Sequence, residues 1–231
     1  MATPTLVGTG VSSRPTGNGA TSVYTLSHTL DAAADAVLFF VDNGNTNRTA
    51  TAKYNNVAMT QAVTLTSGNF RAYGFYMLAA SLPAAGTYNF EVTFSGTITN
   101  GAVFNLAGCA VDGADQAAPE ATSSLDISAT DPVTTGTITT VADATLIVQA
   151  VLMIDGRTIA SWDSGQTTHV GTTGRYIASR TGPTPGGAQA LNFNLSSSSS
   201  KGATLAISLT GPAGTVLTPS GSEYLMASGT P

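Results

Sequence analysis

The sequence predicts an all-β protein built as an antiparallel β-sandwich of jelly-roll-like type. Three observations carry this. Short β-rich runs recur along the chain, separated by Gly, Pro, Asn, Asp and Ser, and helical periodicity is nearly absent. Several runs alternate strictly, as in "TYNFEVTF", where Tyr88, Phe90, Val92 and Phe94 share one face and Asn89, Glu91 and Thr93 the other. Hydrophobic residues make up 42% of the 231 residues and charged residues only 9%, so a core can form under a surface of Thr, Ser, Asn, Gln and Gly.

Taken in order, residues 1–20 carry Gly and Pro throughout and read as an extended N-terminal arm. Seven strand candidates follow: "SVYTLSHTL", "DAVLFFVD", "TATAKYNN", "VAMTQAVTL", "FRAYGFYML", "GTYNFEVTF" and "NGAVFNLAGCAV". "LDAAADAVLFF" could open a helix at Asp31, but the β-run Val37 to Val41 cuts it short. Between Tyr54 and Val57, the pair Asn55-Asn56 can accept the positive φ angles of a two-residue hairpin turn. Asp112 to Asp126 reads as a turn-rich connection. A second set then repeats the order: "DPVTTGTITT", "ATLIVQAVL", "RTIASW", "QTTHVGTT", "GRYIASR", "AQALNFNL" and "ATLAISLTG".

The repetition extends to residues. "ADAVL" at Ala34 aligns with "ADATL" at Ala142, Tyr54 keeps the same spacing to Trp162, and Asn89-Phe90 meets Asn192-Phe193 after a small drift. The chain is therefore expected to be an internally duplicated seven-strand unit. A sandwich over 21–218 would have pseudo-repeat halves 21–121 and 122–218 and a C-terminal tail over 219–231. The alternative is two small β-sandwiches in tandem.

Composition excludes some functions. Net charge is −5 with 8 Lys plus Arg, too few for a basic patch, so no nucleic-acid partner is expected. No apolar run is long enough for a membrane-spanning helix, and "MATPTLVGTG" does not read as a secretion signal. Cys109 is the one cysteine and reads as a buried small hydrophobe.

The search for chemistry gives no catalytic, cofactor-binding or metal-binding assignment. His28 and His169 lie in strand-like runs, and two histidines do not make a metal site. Asp42 to Asn47, "DNGNTN", has oxygen side chains at alternate positions but lacks the closing acid of a calcium loop, so Asx turns explain it. "SSSK" at Ser198 to Lys201 matches a Ser-x-x-Lys pattern without its companion motifs. "NRT" at Asn47 and "NLS" at Asn194 fit the glycosylation acceptor pattern and mean little without a secretion signal. Trp162, Tyr176, Tyr73 and Tyr54 could form a sugar-stacking platform, or could be core.

Three pieces, "YNNVAMTQAV", "RAYGFYMLAASLPAAGTYNFEVTFSG" and "NLAGCAVDGADQAAP", resemble a recurrent β-sandwich module of tailed-phage virion proteins and bacterial surface proteins. The resemblance covers Ala34 to Pro119 well and the second half more loosely. The chain departs from the module at Asn56, where the hairpin usually has Gly, and in the split turn Asp112 to Gln116. The resemblance implies a structural virion protein, foremost a capsid decoration or head-fibre protein at the virion surface, assembled in the host cytoplasm and not an enzyme. Implied partners are the major capsid protein or other virion proteins and further copies of the chain. The alternative is a glycan-binding module that takes a host glycan.

Overall fold

The computed structural model describes residues 2–127, 137–143, 145–197 and 201–212. The expected tail, 219–231, lies outside them. The first half contains β1 (Thr5–Ser13), β2 (Val23–Leu30), β3 (Ala36–Asp42), β4 (Ala50–Tyr54), β5 (Val57–Ala58), β6 (Thr60–Ser67), β7 (Phe70–Leu78), β8 (Gly86–Phe94) and β9 (Leu106–Asp112). The second contains β10 (Ala121–Ile127), β11 (Thr137–Thr139), β12 (Thr145–Met153), β13 (Ile159–Trp162), β14 (Thr167–Thr172), β15 (Arg175–Thr181), β16 (Ala188–Ala190), β17 (Phe193–Leu195) and β18 (Gly202–Thr210). The fold is all-β, and the strand pairings among the described residues are antiparallel.

The strands form two five-stranded sheets, β1-β9-β3-β7-β6 and β10-β18-β12-β15-β14. A four-stranded sheet, β2-β8-β4-β5, covers the first. Two ribbons, β11-β16 and β13-β17, cover the second. β3 and β12 lie at the centre and are buried along their whole length. Residues of alternate parity on each strand serve different cores. Ala36, Leu38 and Phe40 meet Leu146, Val148, Ala150 and Leu152 in a core between the two five-stranded sheets. Val37, Phe39 and Val41 pack outward against β2, β4 and β8. Val151 and Met153 pack outward on Phe193 and Leu195, and Ile147 on Leu191 and Ile138. The molecule is thus four sheet layers deep. Each half makes its own sandwich, and the two long sheets bury their free faces against each other. A strand buried on both faces reads as a near-continuous hydrophobic run, which is why "AVLFFV" and "TLIVQAVLM", the latter interrupted by Gln149, do not alternate.

The duplication is visible in the topology. Mapping β1 to β10, β3 to β12, β6 to β14, β7 to β15 and β9 to β18 converts one five-stranded order into the other. The residue alignment falls on the same contacts: Tyr54 pairs with Phe90 across β4 and β8, and Trp162 pairs with Phe193 across β13 and β17. The halves meet as a two-fold pair would. β1 of the first lies against β14 of the second, and β10 of the second lies against β6 of the first.

Several expectations shift. The arm expected over residues 1–20 is instead a strand over Thr5–Ser13, laid along β9. Leu6 reaches the central core while Val7 and Val11 reach the outer one, across a bulge where Gly8 has φ +66. The connection over Asp112 to Asp126 contains β10, whose Ser124 and Asp126 bond across the halves to Thr64 and Ser67. The expected strand "VAMTQAVTL" breaks at Met59, where the chain crosses from the four-stranded to the five-stranded sheet. The Met59 side chain fills the crossing and its N–H donates to the Ala52 carbonyl. "AQALNFNL" breaks likewise into β16 and β17. Among the described residues each half therefore carries nine strands rather than seven.

Candidate functional site

The candidate residues fall first into the cores. Tyr54 is fully buried, and its hydroxyl lies 2.9 Å from His28 Nδ1. Both sit against Phe90, which stacks on Phe39 at 4.8 Å and 8°. Burial pushes the His28 pKa down to about 4 and the Tyr54 hydroxyl above its ordinary range. Tyr73 is buried in the same cluster, whereas Tyr176 is buried in the other half under Trp162. Trp162 is half-buried at that core's rim, its ring 6.2 Å from Tyr176 and 5.6 Å from Phe193. The structure brings Trp162 and Tyr176 together edge to face and leaves Tyr54 and Tyr73 in a separate core. The four do not form one flat platform.

Other candidates are explained by local bonding. His169 stands at the bulge of β14, and its Nε2 lies 2.7 Å from Ser179 Oγ. It is in the opposite half from His28, and among the described residues no three metal-type side chains cluster. In Asp42 to Asn47 one side-chain oxygen each of Asp42 and Asn43 serves the backbone. Asp42 Oδ1 accepts from Gly44 N–H, and Asn43 Oδ1 accepts from the N–H groups of Asn45 and Arg71. Gly44, Asn45 and Asn47 take positive φ. These are Asx turns. Asn47 Oδ1 accepts from Arg71, and Asn194 Nδ2 donates to Ser161 Oγ. Ser198 to Ser200 lie outside the described residues. Lys201 donates to Ser67 Oγ at 3.0 Å, and Ser67 donates to Asp126. Cys109 is buried in the central core, which pushes its thiol up to about 12. The hairpin turn stands as read: Asn55 and Asn56 have φ 48 and 64.

A buried polar node at the end of β3 has no signature in any one stretch of the chain. Asn105 Nδ2 donates to Asp42 Oδ2 at 2.6 Å, and burial raises the Asp42 pKa to about 7. Nearby, Arg14 bridges the halves by donating to the Ile154 carbonyl. Asp42 and Asn105 are far apart in sequence, so only the pairing of β3 with β9 brings them together.

What remains outward is surface. On the outer face of the four-stranded sheet lie Thr25, Ser27, Thr29, Thr51, Thr87 and Asn89, with Lys53 and Glu91 held to each other at 3.6 Å. The face is charge-balanced, and its hydroxyl and amide groups suit contacts with other neutral surfaces. Beside its edge a cleft of about 450 Å³ opens between β1 and β2, lined by Gly8, Thr9, Val11 and residues 27–32. No helix among the described residues is long and apolar enough to cross a membrane. Comparison with protein-family models, with curated proteins and with solved structures finds no match.

Proposed function

We propose that this chain is a structural protein of a tailed-phage virion, foremost a capsid decoration or head-fibre protein, which works at the virion surface through protein–protein contacts and has no enzymatic activity. The observation that carries the proposal is the sequence resemblance over Ala34 to Pro119, whose quoted pieces form the hairpin, β7, β8 and β9. The character of the surface supports it. The outer sheet face presents neutral hydroxyls and amides with one balanced ion pair, which suits many weak copies adding up on a lattice. The expected partners are the major capsid protein or other virion proteins, and further copies of the chain.

The glycan-binding alternative draws less support, because Tyr54, Tyr73 and Tyr176 are committed to cores. The test is co-sedimentation of the purified chain with phage capsids that lack it, alongside a glycan screen. Saturable binding to capsids, with no response to sugars, is expected. Sugar affinity without particle binding would overturn the proposal.

A further inference from the structure

The free edge of β2 differs from the other long edges of the molecule. Edge strands expose unpaired backbone groups, and proteins blunt them with bulges, charges, Pro or covering segments. β1, β6 and β14 each carry a register shift. β10 is tied to β6 through Ser124 and Asp126. β2 has no bulge, charge or Pro, and β1 approaches it only at its C-terminal end, where Gly8 lies beside Thr29 and Asp31. Its eight residues, Val23 to Leu30, pair with β8 in unbroken register and include neither charge nor Pro.

The ladder fixes which groups are free. Phe94 N–H donates to the Ser22 carbonyl, so even-numbered residues of β2 bond to β8 and odd-numbered ones point their N–H and C=O away. Val23 is served locally, since both its N–H and its carbonyl bond the Thr21 hydroxyl. Thr25, Ser27 and Thr29 remain, the last with its carbonyl beside Gly8 of β1. The cleft beside them is lined by consecutive residues 27–32, which places open space along the strand's edge and not only under one face.

We infer that β2 is a self-association site, at which β2 of a second copy pairs antiparallel about Ser27. The sequence Thr25-Leu26-Ser27-His28-Thr29 reads the same in its outward residue types from either end. About a two-fold axis at Ser27, Thr25 faces Thr29 of the other copy and Ser27 faces Ser27. Each is an odd–odd pair, so each outward N–H meets an outward C=O and none of these groups is left over. On the outer face the pairs are hydroxyl against hydroxyl, a favourable cross-strand match with no like charges opposed. The four-stranded sheets of two copies then run on as one. This deepens the self-association in the proposed function; it is tested by solution mass, whereas the virion reading is tested by particle binding.

The experiment is sedimentation equilibrium from micromolar to submillimolar concentration on the full chain and three variants. Ser27→Pro removes an outward N–H and is tolerated on an edge strand. Ser27→Lys and Ser27→Glu each set like charges opposite one another at the axis. The wild type is expected to show a monomer–dimer equilibrium. Each variant alone should weaken it roughly tenfold or more, and an equimolar mixture of the Lys and Glu variants should restore it. A wild type that stays monomeric throughout, or Lys and Glu variants that associate as the wild type does, would overturn the inference.

Discussion

Phe39 and Ile147 hold the same place in the two halves, yet their surroundings differ. Phe39 pairs with Gly108 and Phe75, and Ile147 with Ser208 and Arg180. A Cβ on Gly108 would come within 2.5 Å of the Phe90 ring, so the first half needs glycine there to seat its aromatic stack. One residue pair further along, Val41 and Tyr73 give way to Gln149 and Ala178. The buried Gln149 amide donates to the Leu191 carbonyl and Thr204 Oγ1 and accepts from Gln166. The outer core of the first half is consequently one aromatic cluster. That of the second is two small clusters on either side of a polar bridge. The topology survives this because both halves share the central core, where the alternation of β3 and β12 is apolar in each. What a duplicated sandwich must keep is the buried face between its copies; the outer layers can diverge.

The largest effect expected to break the comparison comes from the matched pair Phe90→Ala and Phe193→Ala. Each removes a fully buried ring at the equivalent position, and such truncations cost about 3–5 kcal/mol. Phe90 touches Phe39, Tyr54 and His28, whereas among the described residues Phe193 has Trp162 alone as a ring neighbour, so the first-half variant should lose more stability in urea titrations. Equal losses would mean that the aromatic cluster adds nothing beyond burial.

A smaller effect sharpens the comparison through pH, because among the described residues the two strongly shifted buried groups that titrate between acid and neutral pH, Asp42 and His28, both sit in the first half. The folded pKa of Asp42 is raised to about 7 from 3.8. Its contribution to stability is full below 3.8 and is lost as pH rises through 7. The folded pKa of His28 is lowered to about 4 from 6.5, so its contribution is full above 6.5 and is lost as pH falls towards 4. Between those limits the two oppose each other. Asp42→Asn keeps a side-chain oxygen for Asn105 or Gly44 and removes one titration. Its stability relative to the wild type should increase from pH 4 to pH 7, by at most about 1.4 kcal/mol per pH unit. A difference that stays flat with pH would show that Asp42 ionises without penalty.

Much of this architecture was legible in the residues. β7 and β8 have the bounds of the runs "FRAYGFYML" and "GTYNFEVTF", and β3 and β12 stand out as apolar runs. The pair Asn55-Asn56 marks its turn because few residues accept two successive positive φ angles. The opening strands of the halves were hidden for a physical reason. β1 is interrupted by Gly8 and Gly10, and β10 is "ATSSLDI", so both resemble loops until a neighbouring strand pairs with them. The Gly10 position is open only because a Cβ there would strike Val170 of the other half, a contact with no local signal. The candidate aromatics were legible as residues but not by role, since Tyr54 and Trp162 end equivalent strands and only packing separates a buried ring from one at a rim. The Asp42–Asn105 node and the free edge of β2 depend on long-range pairing, which no short stretch of sequence encodes.

The central claim is one fold built twice around a shared core, and native-state hydrogen exchange tests it most directly. The backbone amides of β3 and β12 should open with the same free energy and the same denaturant dependence, because neither strand can be exposed without opening the core between the two long sheets. Exchange of β12 through a separate, lower-energy opening while β3 stays protected would contradict the account and make the halves independent sandwiches in one chain.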